Sequence, residues 1–332
     1  MIEWIEFDSP KALKGFPMGD PSLRRFPVYL PPGYSAKSEL PVVYFLAGFS
    51  GKGAGYINES SAFDIGLPTR FDKAICENRL KPFIGVFPDG SSKLGCSQYV
   101  NSPALGNYMD YLCDELVPFI ESKFGASSDP HKRFLVGHSS GGFGALVTAF
   151  LRPEVFKSIC SSAGDGFYEI NILPSVAYAV GEIAKAGGVE KFIQSFLAGP
   201  STAYYSSNKF STMLTLAMAP CYAPNLKAAP VYGDLFFDLH TGEIIPESWE
   251  KYLAWDPVRM VEKHAKNIQK LDFILLESGA DDEHGLHLAH RQLAKKFQKL
   301  GVPHDIQEYP GKHGGHHWRF EDRLTRLLAR PV

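Results

Sequence analysis

No apolar run in this 332-residue chain approaches the ~18 residues that a membrane-spanning helix requires. The N-terminal stretch MIEWIEFDSP has neither a basic segment nor an apolar one, so no secretory leader is read there. Charge of one sign is also missing. The 34 Lys and Arg against 36 Asp and Glu leave a formal charge of −2. That balance gives no electrostatic case for nucleic acid or an anionic membrane surface. Cysteine is sparse: five residues at 76, 96, 113, 160 and 221, odd in number and without a C-x-x-C pair. This argues against a disulfide framework and for reduced, mostly buried thiols, with the cytoplasm as the expected compartment. There is no H-E-x-x-H, no internal repeat and no low-complexity tract.

What is present reads as an ordinary globular enzyme-sized chain, 45% hydrophobic and 21% charged. At ~150 residues per domain the length allows two domains, or one large α/β domain with an insertion. Short apolar runs bounded by Gly, Pro or Asp predict eight strands: Ile2–Phe7, Phe26–Leu30, Val42–Leu46, Phe83–Phe87, Phe134–Gly137, Ser158–Ser162, Phe273–Leu276 and His304–Tyr309. The middle ones are apolar at consecutive positions, as strands covered on both faces are. The first two alternate more and suit an antiparallel edge.

Helical stripes fall between the strands. Met109, Leu112, Leu116, Ile120 and Phe124 recur at three-to-four spacing up to Gly125, with Pro118 predicting a kink. Leu286, Ala289, Leu293, Phe297 and Leu300 form another stripe, closed by Gly301. Strands alternating with helices imply an α/β class with a mostly parallel central sheet of about eight strands and helices on both faces.

Residues 165–255 interrupt this alternation. Helices are expected near 174–186, 189–197 and 207–218, followed by irregular sequence up to Trp255. The segment is dense in Phe167, Tyr168, Tyr178, Phe192, Phe196, Tyr204, Tyr205, Phe210, Met213, Met218 and Tyr222. We read it as a helical cap on a core formed by 1–164 and 256–332. Its aromatic residues are mainly core, with a few available to line an apolar pocket.

The sharpest motif is Gly137-His138-Ser139-Ser140-Gly141, which follows the run Phe134-Leu135-Val136 and opens a stretch of small residues. G-x-S-x-G between a strand and a helix is a nucleophile elbow. A serine there is held on a strained turn above the sheet edge, and the flanking glycines relieve backbone crowding. A serine hydroxyl needs a base, and this architecture orders its triad Ser, acid, His. Gly311-Lys312-His313-Gly314-Gly315-His316-His317-Trp318 supplies the base candidates, in the order of preference His316, His317, His313. The preference rests on Gly314 and Gly315, which would let a loop bring His316 to the serine. The acid is expected after Phe273–Leu276, where Asp281, Asp282 and Glu283 compete. Asp165, between Gly164 and Gly166, is a turn aspartate and the alternative acid. Oxyanion donors are expected at the Ser140 N–H and in the loop Ala47-Gly48-Phe49-Ser50-Gly51.

From Arg25-Phe26-Pro27-Val28-Tyr29-Leu30-Pro31-Pro32-Gly33-Tyr34 through to Gly-Gly-His-His-Trp, the chain resembles the esterase D or putative-esterase branch of the α/β-hydrolase fold. That branch includes S-formylglutathione hydrolases, mycolyltransferases, feruloyl esterases and siderophore esterases. The resemblance covers nearly the whole chain, least well over 165–255. It implies Ser139, Asp282 and His316 as a catalytic triad. Gly-x-x-Asp falls on Gly279-Ala280-Asp281-Asp282, and Gly-x-His-x-Trp on Gly314-Gly315-His316-His317-Trp318. Leucine-x-glycine-hydrophobe falls on Leu46-Ala47-Gly48-Phe49, making Phe49 N–H the second oxyanion donor. It also points to Ser97, Gln98, Tyr99 and Asn101 beside the acyl site, and His138 is a further substrate-binding candidate.

Two features depart from the resemblance. Ser50-Gly51 stand where S-formylglutathione hydrolases carry cysteine and threonine, and their Asp-His-Ser-Tyr-Tyr context is missing. This argues against glutathione thioesters. The expected activity is hydrolysis of carboxylic esters of small molecules without cofactor or metal. The alternatives are acyl transfer on the same triad and a non-catalytic binding protein. A zinc hydrolase using clustered histidines, His284, His287 and His290 near Asp281 and Asp282, or His313, His316 and His317, is a further rival. A homodimer is compatible with the sequence.

Overall fold

The computed structural model describes residues 1–58, 65–199 and 207–329. Tyr204 and Tyr205 lie outside the described residues. Eight strands form one sheet: β1 (Ile2–Asp8), β2 (Leu23–Tyr29), β3 (Val42–Leu46), β4 (Ile84–Val86), β7 (Arg133–His138), β8 (Ser158–Ser162), β9 (Phe273–Gly279) and β10 (His304–Tyr309). The two-residue strands β5 (Asn101–Ser102) and β6 (Gly106–Asn107) make a separate hairpin. The sheet order is β1-β2-β4-β3-β7-β8-β9-β10. From β4 to β10 every pairing is parallel, while β2 runs antiparallel to both β1 and β4. The expected antiparallel edge is therefore β1 with β2.

The consecutive apolar residues of β3 explain why it is central. Val42, Tyr44 and Leu46 join the core on one face, and Val43 and Phe45 join the other. Helices Val117–Phe124, Ser140–Leu151 and Leu286–Leu300 cover the first face, through Ile120, Leu146 and Leu293 among others. Helices Leu67–Cys76 and Phe320–Leu328 cover the second, through Phe71 and Leu324. This is an α/β-hydrolase fold.

The helix expected around Pro118 differs in form. A six-residue π-helix at Tyr111–Leu116 precedes the α-helix Val117–Phe124, and Gly125 closes it at φ 56°. Proline has no N–H for the carbonyl four residues back and crowds it. Here that conflict is met by a wider turn just before the proline.

Between β8 and β9 the chain forms helices Tyr168–Asn171, Ser175–Ala186, Val189–Ala198, Ser207–Tyr222 and Pro246–Leu253. Helix Ser207–Tyr222 runs past the expected end near 218 and carries Pro220 inside it. Most of the segment's aromatic residues are core. Tyr222 is buried against Tyr168, Tyr252 and Trp255. Tyr178 and Phe210 are exposed.

Candidate active site

The candidate residues follow the C-terminal ends of neighbouring parallel strands, where open α/β sheets form their clefts. Ser139 follows β7 directly, with φ 55° and ψ −125°. That is a costly conformation for a non-glycine residue, and the surroundings enforce it. Ser139 N–H donates to Ser162 O at 2.9 Å, and Phe143 N–H donates back to Ser139 O at 2.9 Å. Two glycines make the turn possible. A Cβ on Gly137 would lie 2.0 Å from Gly141 O, and one on Gly141 would lie 2.1 Å from Leu46 O. The turn therefore clamps the end of β3 against the start of helix Ser140–Leu151.

The candidate acid and base follow the ends of β9 and β10. Pairing of the two strands continues past their ends, with Ala280 N–H donating to Tyr309 O at 2.8 Å and Asp281 N–H to Gly311 O at 3.0 Å. Bare Gly279 lets the segment 311–312 pass close by, since a Cβ there would meet Gly311 O at 2.4 Å. Two residues further on, His313 N–H donates to Glu283 Oε2 at 2.9 Å. Its ring then reaches both partners: Nδ1 pairs with Asp282 Oδ2 at 2.9 Å, and Nε2 with Ser139 Oγ at 3.0 Å. An ionised carboxylate only accepts, so Nδ1 carries the hydrogen and Nε2 is free to take the serine proton.

The expectation that His316 faces Ser139 is corrected by this geometry. Gly315, at φ 75°, turns the chain away after His313. His316 then caps the short 3₁₀ helix His317–Arg319 and points into the protein. Its ring stacks on His138 with centroids 3.7 Å apart, and its Nδ1 accepts from Arg323 Nη2 at 3.4 Å. The turn at Gly315 thus leads the chain away behind His313 instead of delivering His316 to Ser139. Among the candidate acids, Asp282 meets His313. Its Oδ1 also accepts from His284 N–H at 2.9 Å and Leu286 N–H at 3.4 Å.

The electrostatics separate the two histidines. For His313, burial works against the charged ring, but the bond to and charge of Asp282 outweigh it and raise the pKa. Burial would raise the carboxyl of Asp282, yet His313 and two backbone N–H groups hold it below the ordinary range. For His316, burial first and the Arg323 guanidinium second push the pKa down to about 2. It is a neutral acceptor. Burial likewise keeps His138 neutral, lodged between His316 and His313. Under these rings lies a fully buried ion pair, Arg323 with Glu277. Arg323 Nε donates to Glu277 Oε1 at 2.8 Å, and Nη2 also reaches Ser162 Oγ at 3.2 Å. A buried pair left half-complete would be costly, so this pair fixes the floor of the site. Sequence reasoning missed it, because nothing in a single chain marks Arg323 as buried.

The other expected residues divide. The loop expected to supply an oxyanion donor lies against the serine: a Cβ on Gly48 would sit 3.2 Å from Ser139 Cβ. Ser140 begins its helix, so its N–H belongs to the first-turn donors that the helix itself does not use. The Phe49 ring packs edge-on to Phe210 at 4.8 Å. Gln98 is buried and donates to Ser140 Oγ at 3.2 Å. Tyr99 donates to Ala47 O at 3.0 Å, holding the loop 47–51 from behind. Asn101 is engaged elsewhere, accepting from Met109 N–H and donating to Asp110. Of the zinc candidates, His290 is turned inward to accept from Gly164 N–H at 3.3 Å. Among the described residues no group of three His, Cys, Asp or Glu side chains could hold a metal ion.

A cavity of about 280 Å³ adjoins the acid loop, lined by Asn171, Ser175, Tyr178, Ser211, Glu283 and His284 among others. A larger groove of about 340 Å³, bounded by Ile75, Leu80, Thr325 and Leu328, contains none of the residues above.

A parallel-sheet hydrolase fold with a serine elbow and a Ser–His–Asp hydrogen-bond chain is what this geometry defines. Residues 21–330 match the model of the putative-esterase family, and the chain belongs to that family. It is 28% identical over 158 residues to the S-formylglutathione hydrolase of Mus musculus, covering 42% of this chain and 51% of that protein. It is also 28% identical over 134 residues to an endo-1,4-β-xylanase/feruloyl esterase of Xylanibacter ruminicola, covering 39% of this chain and 18% of that protein. These alignments span about half or less of the curated relatives. A solved ferulic acid esterase aligns with TM-score 0.62 at 15% identity over 99% of this chain and 98% of that one. A fluorophosphonate-binding serine hydrolase of Staphylococcus aureus aligns with TM-score 0.60 at 14% identity, again over 99% and 98%. At such identities the structural likeness concerns the fold. No helix among the described residues is long and apolar enough to cross a membrane.

Proposed function

We propose that the chain is a serine hydrolase of carboxylic esters, with Ser139, His313 and Asp282 as its triad. One observation carries the reading: a single imidazole bonded at 3.0 Å to the strained serine and at 2.9 Å to a buried carboxylate. In this reading Ser139 Oγ attacks the acyl carbonyl while its proton passes to His313 Nε2. The carbonyl oxygen becomes an oxyanion held by the Phe49 and Ser140 N–H groups, each such donor being worth roughly 3–4 kcal/mol. As the C–O bond to the alcohol breaks, the same proton moves from His313 to the departing oxygen. Water, or an acceptor alcohol, then attacks the acyl-enzyme with His313 again as base. Asp282 holds the tautomer and stabilises the imidazolium.

Residues 165–255 act as the cap that shapes the substrate space, and the cavity beside Asn171 and His284 belongs to it. Ser50-Gly51 in the oxyanion loop favours oxygen esters over glutathione thioesters. Five free thiols suit a reducing, cytoplasmic setting. The test is p-nitrophenyl ester hydrolysis across acyl lengths from acetate to laurate, with wild type beside Ser139→Ala. Collapse of the rate in the variant supports the reading. Absence of ester hydrolysis together with no fluorophosphonate adduct on Ser139 refutes it in favour of a binding protein.

A further inference from the structure

We propose that Asp165 is a positioning residue of this site: it anchors Ser140 by its hydroxyl and sets a second negative charge beside His313. The inference rests on the triad reading above.

Asp165 lies in the turn after β8 and is buried. Its Oδ2 accepts from Ser140 Oγ at 3.3 Å, and its Oδ1 accepts from Asn171 Nδ2 at 3.3 Å. Ser140 Oγ in turn accepts from Gln98 Nε2 at 3.2 Å. The chain Gln98–Ser140–Asp165–Asn171 therefore runs from the loop behind the oxyanion loop to the cavity wall. Its centre is the residue whose backbone N–H serves as an oxyanion donor. A donor is effective only while it is held in place before charge develops, so fixing the Ser140 side chain fixes the donor. Strain agrees with this role. Gln98 and Tyr99 both sit at positive φ, 51° and 54°, to present the Gln98 amide to Ser140.

The charge argument is separate. Asp165 does not bond to His313, whose Nδ1 is taken by Asp282. It is nevertheless bonded to Ser140, the neighbour of the serine that His313 contacts at 3.0 Å. Burial raises the pKa of the Asp165 carboxyl, and His313, Asn171, His284 and Ser140 oppose that rise without cancelling it. Cys96, Tyr168 and Tyr222 also sense its charge. The charges favouring a protonated His313 are Asp282, Asp165 and Glu283, and the rings beside it are His138, His284 and His316. An ionised Asp165 is thus most stable when His313 is an imidazolium, the state reached as the serine proton transfers. A residue confined to holding the turn would have no effect on that proton.

The experiment compares pH profiles of p-nitrophenyl acetate hydrolysis for wild type, Asp165→Asn, Ser140→Ala and Ser139→Ala. Asparagine keeps a hydrogen-bonding group beside Ser140 but removes the charge. In Asp165→Asn the acid limb of kcat/KM should move down by about 0.5–1 pH unit, with kcat lower by about tenfold and KM little changed. Ser140→Ala should lower kcat and, because it removes a donor to Asp165, move the limb the same way by less than Asp165→Asn does. If Asp165→Asn does not fold, Asn171→Ala takes its place: loss of that bond favours the protonated carboxyl, so the limb should move the same way by less. An unmoved limb in whichever of the two variants is measured overturns the proposal. Ser139→Ala separates the two failures. Full activity there refutes the triad and this inference together. An inactive Ser139→Ala beside an unmoved limb refutes the inference alone.

Discussion

The two neighbouring histidines, His313 and His316, offer a direct contest. In His313→Ala the Nε2 acceptor 3.0 Å from Ser139 Oγ disappears, and with it the path for the serine proton. Loss of the base from a serine triad lowers kcat by roughly 10⁴–10⁶-fold, or about 5–8 kcal/mol of transition-state stabilisation. His316→Ala removes something different: a ring stacked on His138 and an acceptor 3.4 Å from Arg323 Nη2. Arg323 keeps Glu277 and Ser162, so the loss is one long hydrogen bond and some packing. That should cost about 1–3 kcal/mol of stability and leave kcat within about tenfold of wild type. The assay is p-nitrophenyl acetate turnover for both variants, each with a thermal melt. Expected is an inactive but normally melting His313→Ala, beside an active His316→Ala with a lower Tm. An inactive, stably folded His316→Ala together with a working His313→Ala would refute the geometry.

Further outcomes follow from the same site. His313 must be neutral to act as base and its pKa is raised, so kcat/KM should climb with pH through a midpoint above the ordinary histidine value of about 6.5. Asp282→Asn should lower kcat roughly 10⁴-fold by favouring the wrong tautomer. Because the Asp282 carboxyl is depressed on folding, its stabilisation is present above the ordinary aspartate value of about 3.9 and fades as pH falls through the folded value. The stability gap between wild type and Asp282→Asn in urea titrations should therefore narrow toward acid pH. Gly141→Ala places a Cβ 2.1 Å from Leu46 O, a backbone atom that cannot swing aside. A loss of about 1–3 kcal/mol by chemical denaturation is expected, with weakened turnover because Leu46 leads directly into the oxyanion loop. An unchanged midpoint would show that the clamp between β3 and the elbow is slack.

The strands were legible because each carries its own evidence. Val42 to Leu46 are all apolar because both faces of β3 are covered, and the elbow announces itself through Gly137 and Gly141 around Ser139. Asp282 stands out in the sequence only through the family pattern, since Asp281, Asp282 and Glu283 are equivalent by composition. The histidine that meets Ser139 is not the one the sequence favours, for a physical reason. The segment offers Gly-x-His twice, as Gly311-Lys312-His313 and as Gly314-Gly315-His316, and local flexibility favours the second. What decides between them is non-local: the hydrogen bonds from Ala280 and Asp281 to Tyr309 and Gly311 extend the β9–β10 register past the strand ends. With that register, His313 is delivered to Asp282 before the chain can turn. His316, three residues later, is left to the buried Arg323, a partner on the last helix that no local pattern identifies. A triad is thus readable as residue types at the ends of strands. Which of two neighbouring histidines completes it depends on pairing between elements some thirty residues apart.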